Sequence, residues 1–306
     1  LNPSSAASDV YKRQIIMLTN FIATSSLQSD DVNSKDLAIH HFMQGEFLLN
    51  QGNYALAVLE FQDAISIDPN ASTIHVSIAD AYRRLGRAKR AEDHLKIAID
   101  LDPKDISSRA MLGQLYLLSR NYIEAENQFL VLSHLDQEND DYLSILGDIA
   151  KIQQQWIKSI DFFLDAYRIN PQNFKALENA MQVCLTAELF KKAEGVCKLL
   201  VQFEPNNNSY WLTYKQITAY NKNYNSTLKA IAELERINGK SIKLSLEKSA
   251  IMQELNKVDE AIKLLVEIHN PDSANINIVE RLVSMYLETE NFIDADIFNR
   301  ILLNEF

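Results

Sequence analysis

Apolar residues recur along this chain at a fixed interval. In the stretch 52–69 an aromatic residue is followed, at helical spacing, by small and large apolar residues and then by a proline: Tyr54, Ala57, Phe61, Ala64 and Pro69. This spacing predicts a helix with one buried face, and the proline predicts its end. Pro103 follows Pro69 after 34 residues, and a related apolar pattern precedes it. A period of this length predicts an array of helical hairpins.

The prolines set the register of this array. Pro103, Pro171 and Pro205 stand at multiples of 34 residues from Pro69, and Gln137 occupies the remaining position. A proline ends a helix because it lacks an N–H and clashes with the preceding turn. Counting back from these ends predicts repeats near residues 38–71, 72–105, 106–139, 140–173, 174–207, 208–241, 242–273 and 276–306.

A recurring aromatic position supports the register in the repeats where the alanine and proline positions are changed. In the sixth repeat Thr227 replaces the expected alanine and Gly239 the expected proline, and the seventh repeat is shortened before Pro271. Three residues before the alanine position, however, most repeats carry an aromatic residue: Tyr54, Tyr122, Trp156, Phe190, Tyr224 and Phe292. We therefore predict that the array continues to the end of the chain.

The third repeat shows the whole pattern, with Leu112, Gly113, Tyr116, Ala125 and Phe129 at its key positions. This pattern resembles the tetratricopeptide repeat family, over about residues 37–306. The resemblance implies an all-α fold, a right-handed superhelical solenoid of about eight helix–turn–helix repeats. It also implies that the first helix of each repeat lines a concave face.

Glycine and polar residues have predicted structural roles within each repeat. Glycine costs about 1 kcal/mol in a helix interior, so we expect Gly45, Gly113 and Gly147 to allow close packing against large apolar side chains. Polar residues beside the prolines are candidates for satisfying free helix ends: Asp68, Asp102 and Asn170 before them, and Asn70, Ser72 and Asp105 after them.

The family resemblance assigns a candidate partner-binding surface to the first helices. Its residues are Phe42, Glu46, Val76, Asp80, Arg83, Arg84, Gln114, Leu117, Asp148, Lys151, Glu178 and Gln182. The mixture of apolar and mildly charged side chains suits a peptide or helix held by scattered polar contacts. The alternative is that each residue belongs to an ordinary solvated helix face. Two specialised grooves of the family, the carboxylate clamp and the asparagine ladder, do not match these positions.

Charge and motifs exclude several other functions. A net charge of −11 argues against binding to phosphate backbones. One basic cluster, around the turn of the second repeat, is interpreted as a solvated turn or as a docking point for an acidic partner: Arg83, Arg84, Arg87, Lys89 and Arg90. No catalytic motif occurs, and adjacent His40 and His41 point to different helix faces. We expect no catalytic residue, metal, cofactor or small-molecule substrate.

The two cysteines, Cys184 and Cys197, are predicted to lie on the two helices of the fifth repeat, at positions that touch. Reduced, buried thiols are the favoured interpretation. A disulfide between them is the alternative in an oxidising compartment.

The first residues differ in character from the array. Residues 1–14 resemble translated sequencing-adapter read-through and are expected to be non-native, and residues 15–36 form a leader that is either disordered or the remnant of a signal peptide. Its apolar run is too short to span a bilayer. We expect a bacterial and truncated chain, located in the cytoplasm or in the periplasm and envelope.

These observations predict a non-catalytic scaffold or adaptor that binds a peptide or helix of a partner protein. Two alternatives remain open at the level of sequence. The chain is the regulatory or substrate-binding repeat part of a larger, truncated enzyme, or it is a factor for envelope assembly or secretion.

Overall fold

The computed structural model describes residues 34–270 and 275–305, which form sixteen α-helices and no β-strand. The first helix, α1, covers 34–50. The others are α2 (Tyr54–Ile67), α3 (Ser72–Arg84), α4 (Ala88–Leu101), α5 (Ile106–Leu118), α6 (Tyr122–Leu135), α7 (Asp140–Ile152), α8 (Trp156–Ile169), α9 (Phe174–Thr186), α10 (Phe190–Phe203), α11 (Asn208–Tyr220), α12 (Tyr224–Asn238), α13 (Ile242–Glu254), α14 (Val258–Ile268), α15 (Ile276–Glu288) and α16 (Phe292–Glu305). The predicted all-α repeat fold is confirmed.

The start of α1 differs from the expected boundary. The helix already includes residues 34–36, which the sequence pattern assigned to the leader. The first turn of a helix carries N–H groups without partners inside the helix, so polar residues are favoured there and the apolar period gives no signal. The segment 1–14, the rest of the leader and Pro271 lie outside the described residues.

The chain divides into two compact units, Leu1–Ile149 and Ala150–Phe306. In the first unit, consecutive helices from α2 to α6 pack on one another. In the second unit, consecutive helices from α8 to α16 do the same. This arrangement is typical of repeat proteins, in which each helix pair buries its apolar face on its neighbours.

Two helical glycines of the first unit allow the close packing that was expected of them. A Cβ atom on Gly45 would lie 2.5 Å from Cδ1 of Phe61, and one on Gly113 would lie 2.9 Å from Cε2 of Phe129. Both phenylalanines are almost completely buried. The aromatic ring of the second helix therefore occupies the space that a side chain on the first helix would need.

A left-handed backbone residue recurs in the turn inside each repeat. The φ angle is positive every 34 residues, at Gly52, Gly86, Arg120, Gln154, Glu188, Lys222, Asn256 and Glu290. After Gly86 the next N–H, that of Arg87, donates to the carbonyl of Tyr82 at 2.8 Å, which is the helix-ending pattern that this conformation permits. Because most of these residues are not glycine, their conformation gave no sequence signal.

Caps at the helix starts follow the prediction only in part. Asp105 caps α5 and accepts hydrogen bonds from the N–H groups of Ser107 and Ser108 at 3.0 and 3.1 Å. The expectation for Asn70 and Ser72 is wrong, because α3 begins after Ala71, which has no side chain able to cap. Further caps come from residues that the proline spacing did not single out: Asn173, Asn207, Asn223, Ser241 and Asn275.

The degenerate sixth repeat, in the second unit, compensates for its lost alanine. Thr227 is buried and donates from its hydroxyl to the hydroxyl of Thr218, also buried, at 3.0 Å. Thr218 in turn donates to the carbonyl of Tyr214 at 2.8 Å. A buried hydroxyl is tolerated only when it is hydrogen-bonded, so these two threonines form a matched pair.

Candidate partner-binding face

In the first unit, side chains of successive first helices meet on one face. The hydroxyl of Ser77 on α3 donates to Oε1 of Glu46 on α1 at 2.5 Å. We call the surface formed by Phe42, Glu46, Val76, Asp80, Arg83, Gln114 and Leu117 the first-helix face. Arg83 and Gln114 are exposed, and the other five are half-buried. Each of these residues therefore keeps some surface for a partner.

Asp80 forms ion pairs with two arginines, Arg83 and Arg84. Arg83 Nη2 donates to Asp80 Oδ1 at 2.5 Å, and Arg84 Nε donates to Asp80 Oδ2 at 2.8 Å. Burial by itself would raise the pKa of Asp80, but the hydrogen bonds from Arg84 and Arg83 outweigh it and lower the pKa. The carboxylate is thus held ionised, and one positive charge of the two arginines is left uncompensated.

Three further predicted residues of the first unit use part of their surface for contacts within the protein. Arg84 stacks its guanidinium over the ring of Tyr54, 5.6 Å from the centroid, at the start of α2. Phe42 packs on Phe61 with ring centroids 5.9 Å apart. Phe42 also lines a cavity of about 250 Å³ together with Lys35 and Ile39. Asp148, on α7, is half-buried and also makes contacts within the protein.

The predicted residues of the second unit are also partly engaged. Lys151 places its ammonium 5.8 Å from the ring centroid of Phe163. Glu178 on α9 accepts a hydrogen bond of 3.1 Å from the hydroxyl of Tyr210 on α11, so first helices share a face here too. Gln182 is exposed. Glu178 therefore links neighbouring first helices as well as facing solvent.

A family model described as tetratricopeptide repeat matches residues 48–107, a stretch that includes α2, α3 and α4. The structure is consistent with a protein of the tetratricopeptide repeat family. No curated protein gives a sequence match to it. The tetratricopeptide repeat fold in general forms scaffolds for protein–protein interaction, so this fold suggests protein partners.

Solved structures of other repeat proteins are similar in fold. The crystal structure of MamA shares 17% identity, with 57% of this chain and 96% of that chain covered and a TM-score of 0.49. A tetratricopeptide repeat protein from Parabacteroides merdae shares 13% identity, with 82% and 99% covered and a TM-score of 0.48. The Naa15/Naa10 structure bound to HypK-THB shares 14% identity, with 84% and 39% covered and a TM-score of 0.51. Of these three, the Naa15/Naa10 structure has a TM-score above 0.5, and at 14% identity its likeness shows the fold alone.

The basic cluster around the turn of the second repeat is largely paired within the first unit. Besides the two arginines on Asp80, Arg90 lies over the ring of Tyr82 at 5.4 Å and donates to its hydroxyl at 3.3 Å. Lys89 forms an ion pair with Glu92 at 3.3 Å. These contacts favour the solvated-turn interpretation over a dedicated docking point.

The two cysteines of the fifth repeat are free and buried. Burial raises the pKa of the Cys184 thiol to about 11 and that of the Cys197 thiol to about 12. The Cys197 thiol donates to the carbonyl of Tyr210 at 3.5 Å. Both side chains act as small apolar residues in this structure, which is the favoured interpretation of the sequence.

Sequence reasoning missed a pair of histidines in the second repeat. Nδ1 of His75 lies 3.1 Å from Nδ1 of His94, and Nε2 of His75 faces the carbonyl of Pro69 at 3.4 Å. If His75 donates from Nε2, its Nδ1 accepts the Nδ1–H of His94. The two histidines are 19 residues apart and lie on different helices, so no local sequence pattern predicts their contact.

We expect this pair to make the protein less stable in mild acid. Burial lowers the pKa of both His75 and His94. The charges of His75 and Arg90 lower the pKa of His94 further, and the charge of Asp93 raises it by a smaller amount. Since these two histidines bind protons more readily in the unfolded chain, their contribution to the free energy of unfolding is constant above a pH of about 6.5 and falls below it. Urea unfolding at a series of pH values measures this slope. The His94→Gln variant should flatten it, and the exposed His40→Gln control should not; an unchanged slope in His94→Gln would contradict the assignment.

None of the described helices combines the length and the apolar character needed to cross a bilayer.

Proposed function

We propose that this protein is a non-catalytic scaffold that binds a peptide or helical segment of a partner protein on the first-helix face. The supporting observation is the alignment of α1 and α3 through the bond between Ser77 and Glu46, with exposed side chains left around it. A partner segment lying across these helices meets several repeats at once. Each repeat then contributes a small part of the affinity.

The chemistry of the face suits a segment with both apolar and acidic side chains. Val76 and Leu117 offer half-buried apolar surface, and Gln114 offers an exposed amide. Arg83 is exposed beside Asp80, and its guanidinium has donors beyond those that reach this carboxylate. Scattered polar contacts of this kind fix the orientation of a peptide, while the apolar pockets supply most of the binding energy.

A capture experiment with matched variants tests the proposal. The full chain, the face variant Arg83→Glu/Gln114→Ala and a control variant are immobilised and exposed to lysate of the source cell. The control Asn127→Ala/Lys198→Glu makes the same kinds of change at exposed positions on the second helices α6 and α10. Circular dichroism verifies that all three chains are folded.

We expect proteins that are captured by the wild type and by the control and are lost, or reduced at least about tenfold, with the face variant. Such a result would also identify the partner for direct affinity measurement. Identical capture by all three chains, or capture by none, would count against the first-helix face as the binding surface.

A further inference from the structure

Three potential metal ligands come together between the two helices of the first pair. His41 on α1 lies with its Nδ1 atom 2.8 Å from Oε2 of Glu60 on α2. Asp63 follows Glu60 by one helical turn, and one ligand atom from each of the three residues lies within 4.8 Å of the others. Glu60 and His41 are half-buried, and Asp63 is exposed. The cluster is therefore accessible to an ion and yet defined by two packed helices.

The electrostatics of the cluster favour a cation. Glu60 and Asp63 are like charges three residues apart on one helix, an arrangement that destabilises a helix when it is uncompensated. Within the described part of the chain, no lysine or arginine pairs with either carboxylate, and His41 is the one ionisable group in contact with Glu60. This contrasts with Asp80 and Glu92 in the next repeat, each of which has two basic partners.

The donor set indicates which ion would fit. One imidazole nitrogen and two carboxylate oxygens suit a borderline divalent ion such as Zn²⁺, which binds nitrogen and oxygen at about 2.0–2.2 Å. In a tetrahedral site such bonds place two ligand atoms about 3.3 Å apart. Nδ1 of His41 and Oε2 of Glu60 are already near that separation, at 2.8 Å. Rotation of the exposed Asp63 side chain brings its carboxylate oxygen to a similar distance from both atoms. Three protein ligands leave one position for water.

We propose that His41, Glu60 and Asp63 bind a divalent ion of the Zn²⁺ class, which ties α1 to α2 in the first repeat. The site is separate from the proposed partner-binding function and does not depend on it. Its physical effect is to link the first helix of this pair to the second. Because His41 must be neutral to bind, protons compete with the metal in acid.

Isothermal titration calorimetry of the full chain with Zn²⁺ at neutral pH measures the stoichiometry and the affinity of binding and so tests the proposal. We expect one ion per chain for the wild type. Loss of one of three ligands should weaken binding at least about tenfold, since even outer-shell losses cost 10–100-fold. The ligand variants are His41→Ala and Asp63→Asn, and circular dichroism checks that both are folded.

Two controls distinguish this cluster from other histidines. His40→Ala removes the neighbouring imidazole, whose ring lies 5.9 Å from that of His41 but which supplies no ligand atom to the cluster. His94→Gln removes one member of the buried histidine pair. Both should keep the wild-type affinity. The proposal is overturned by the absence of stoichiometric binding, or by binding that His41→Ala and Asp63→Asn leave unchanged.

Discussion

The Phe61→Ala variant is expected to lower the free energy of unfolding by about 3–5 kcal/mol, the usual range for removing a fully buried phenylalanine. Phe61 is completely buried, and its ring covers Gly45 of the facing helix. Truncation therefore removes the contact of the ring with α1 at Gly45 and leaves a cavity beside a residue that has no side chain to fill it. Urea unfolding followed by far-ultraviolet circular dichroism measures the loss.

A second substitution in the same place makes the test specific. A methyl group on Gly45 would lie 2.5 Å from Phe61 Cδ1, so Gly45→Ala alone should cost about 1–3 kcal/mol through overpacking. In the double variant the methyl group enters the space left by the ring. We therefore expect the double variant to lose less stability than the sum of the two single changes.

The control for both is Phe47→Ala on α1, because the Phe47 side chain is 57% exposed. A surface change of this kind should alter the free energy of unfolding by no more than about 0.5 kcal/mol. Strict additivity of Gly45→Ala and Phe61→Ala would show that the ring does not fill the space above Gly45.

The Trp211→Ala variant should destabilise the second unit by a similar amount, about 3–5 kcal/mol. Trp211 is only 5% exposed, and its ring packs edge-on against Tyr214 at 5.9 Å. The indole N–H donates to the carbonyl of Pro205 at 2.8 Å. One side chain thus anchors α11 both to its own core and to the turn that precedes it.

Trp211→Phe separates these two contributions. A smaller aromatic ring remains, so most of the packing is kept while the hydrogen bond is lost, and a net hydrogen bond contributes about 0.5–1.5 kcal/mol. The Pro205 carbonyl keeps a second donor, Arg236 Nη2 at 3.1 Å, which favours the lower end of this range.

Both Trp211 variants are best measured in a Trp156→Phe background by urea unfolding, with circular dichroism as the common signal. In the Trp156→Phe chain that retains Trp211, the fluorescence of Trp211 directly reports the unfolding of the sixth repeat. A cost below about 1 kcal/mol for Trp211→Ala would mean that this weakly patterned repeat does not depend on its largest residue.

The sequence by itself determined the helical class, the period and the buried face of each helix. These properties are local: spacings of three and four residues choose the face that packs, and proline ends the second helix. Even the sixth repeat could be placed, because Tyr224 preserved the register where Thr227 had replaced the alanine. The glycines opposite Phe61 and Phe129 could be interpreted as packing positions from spacing alone.

Only the tertiary structure decided which polar side chains meet. His41 reaches Glu60 and His75 reaches His94 across 19 residues, from one helix of a pair to the other. These meetings depend on the crossing of two helices and on the rotamers at the contact, which a linear pattern does not encode. The burial of individual side chains and the pairing of charged groups are likewise set by the packing of the helices. The family resemblance nominated the residues of the first-helix face, whereas their accessibility comes from the packing of the helices around them.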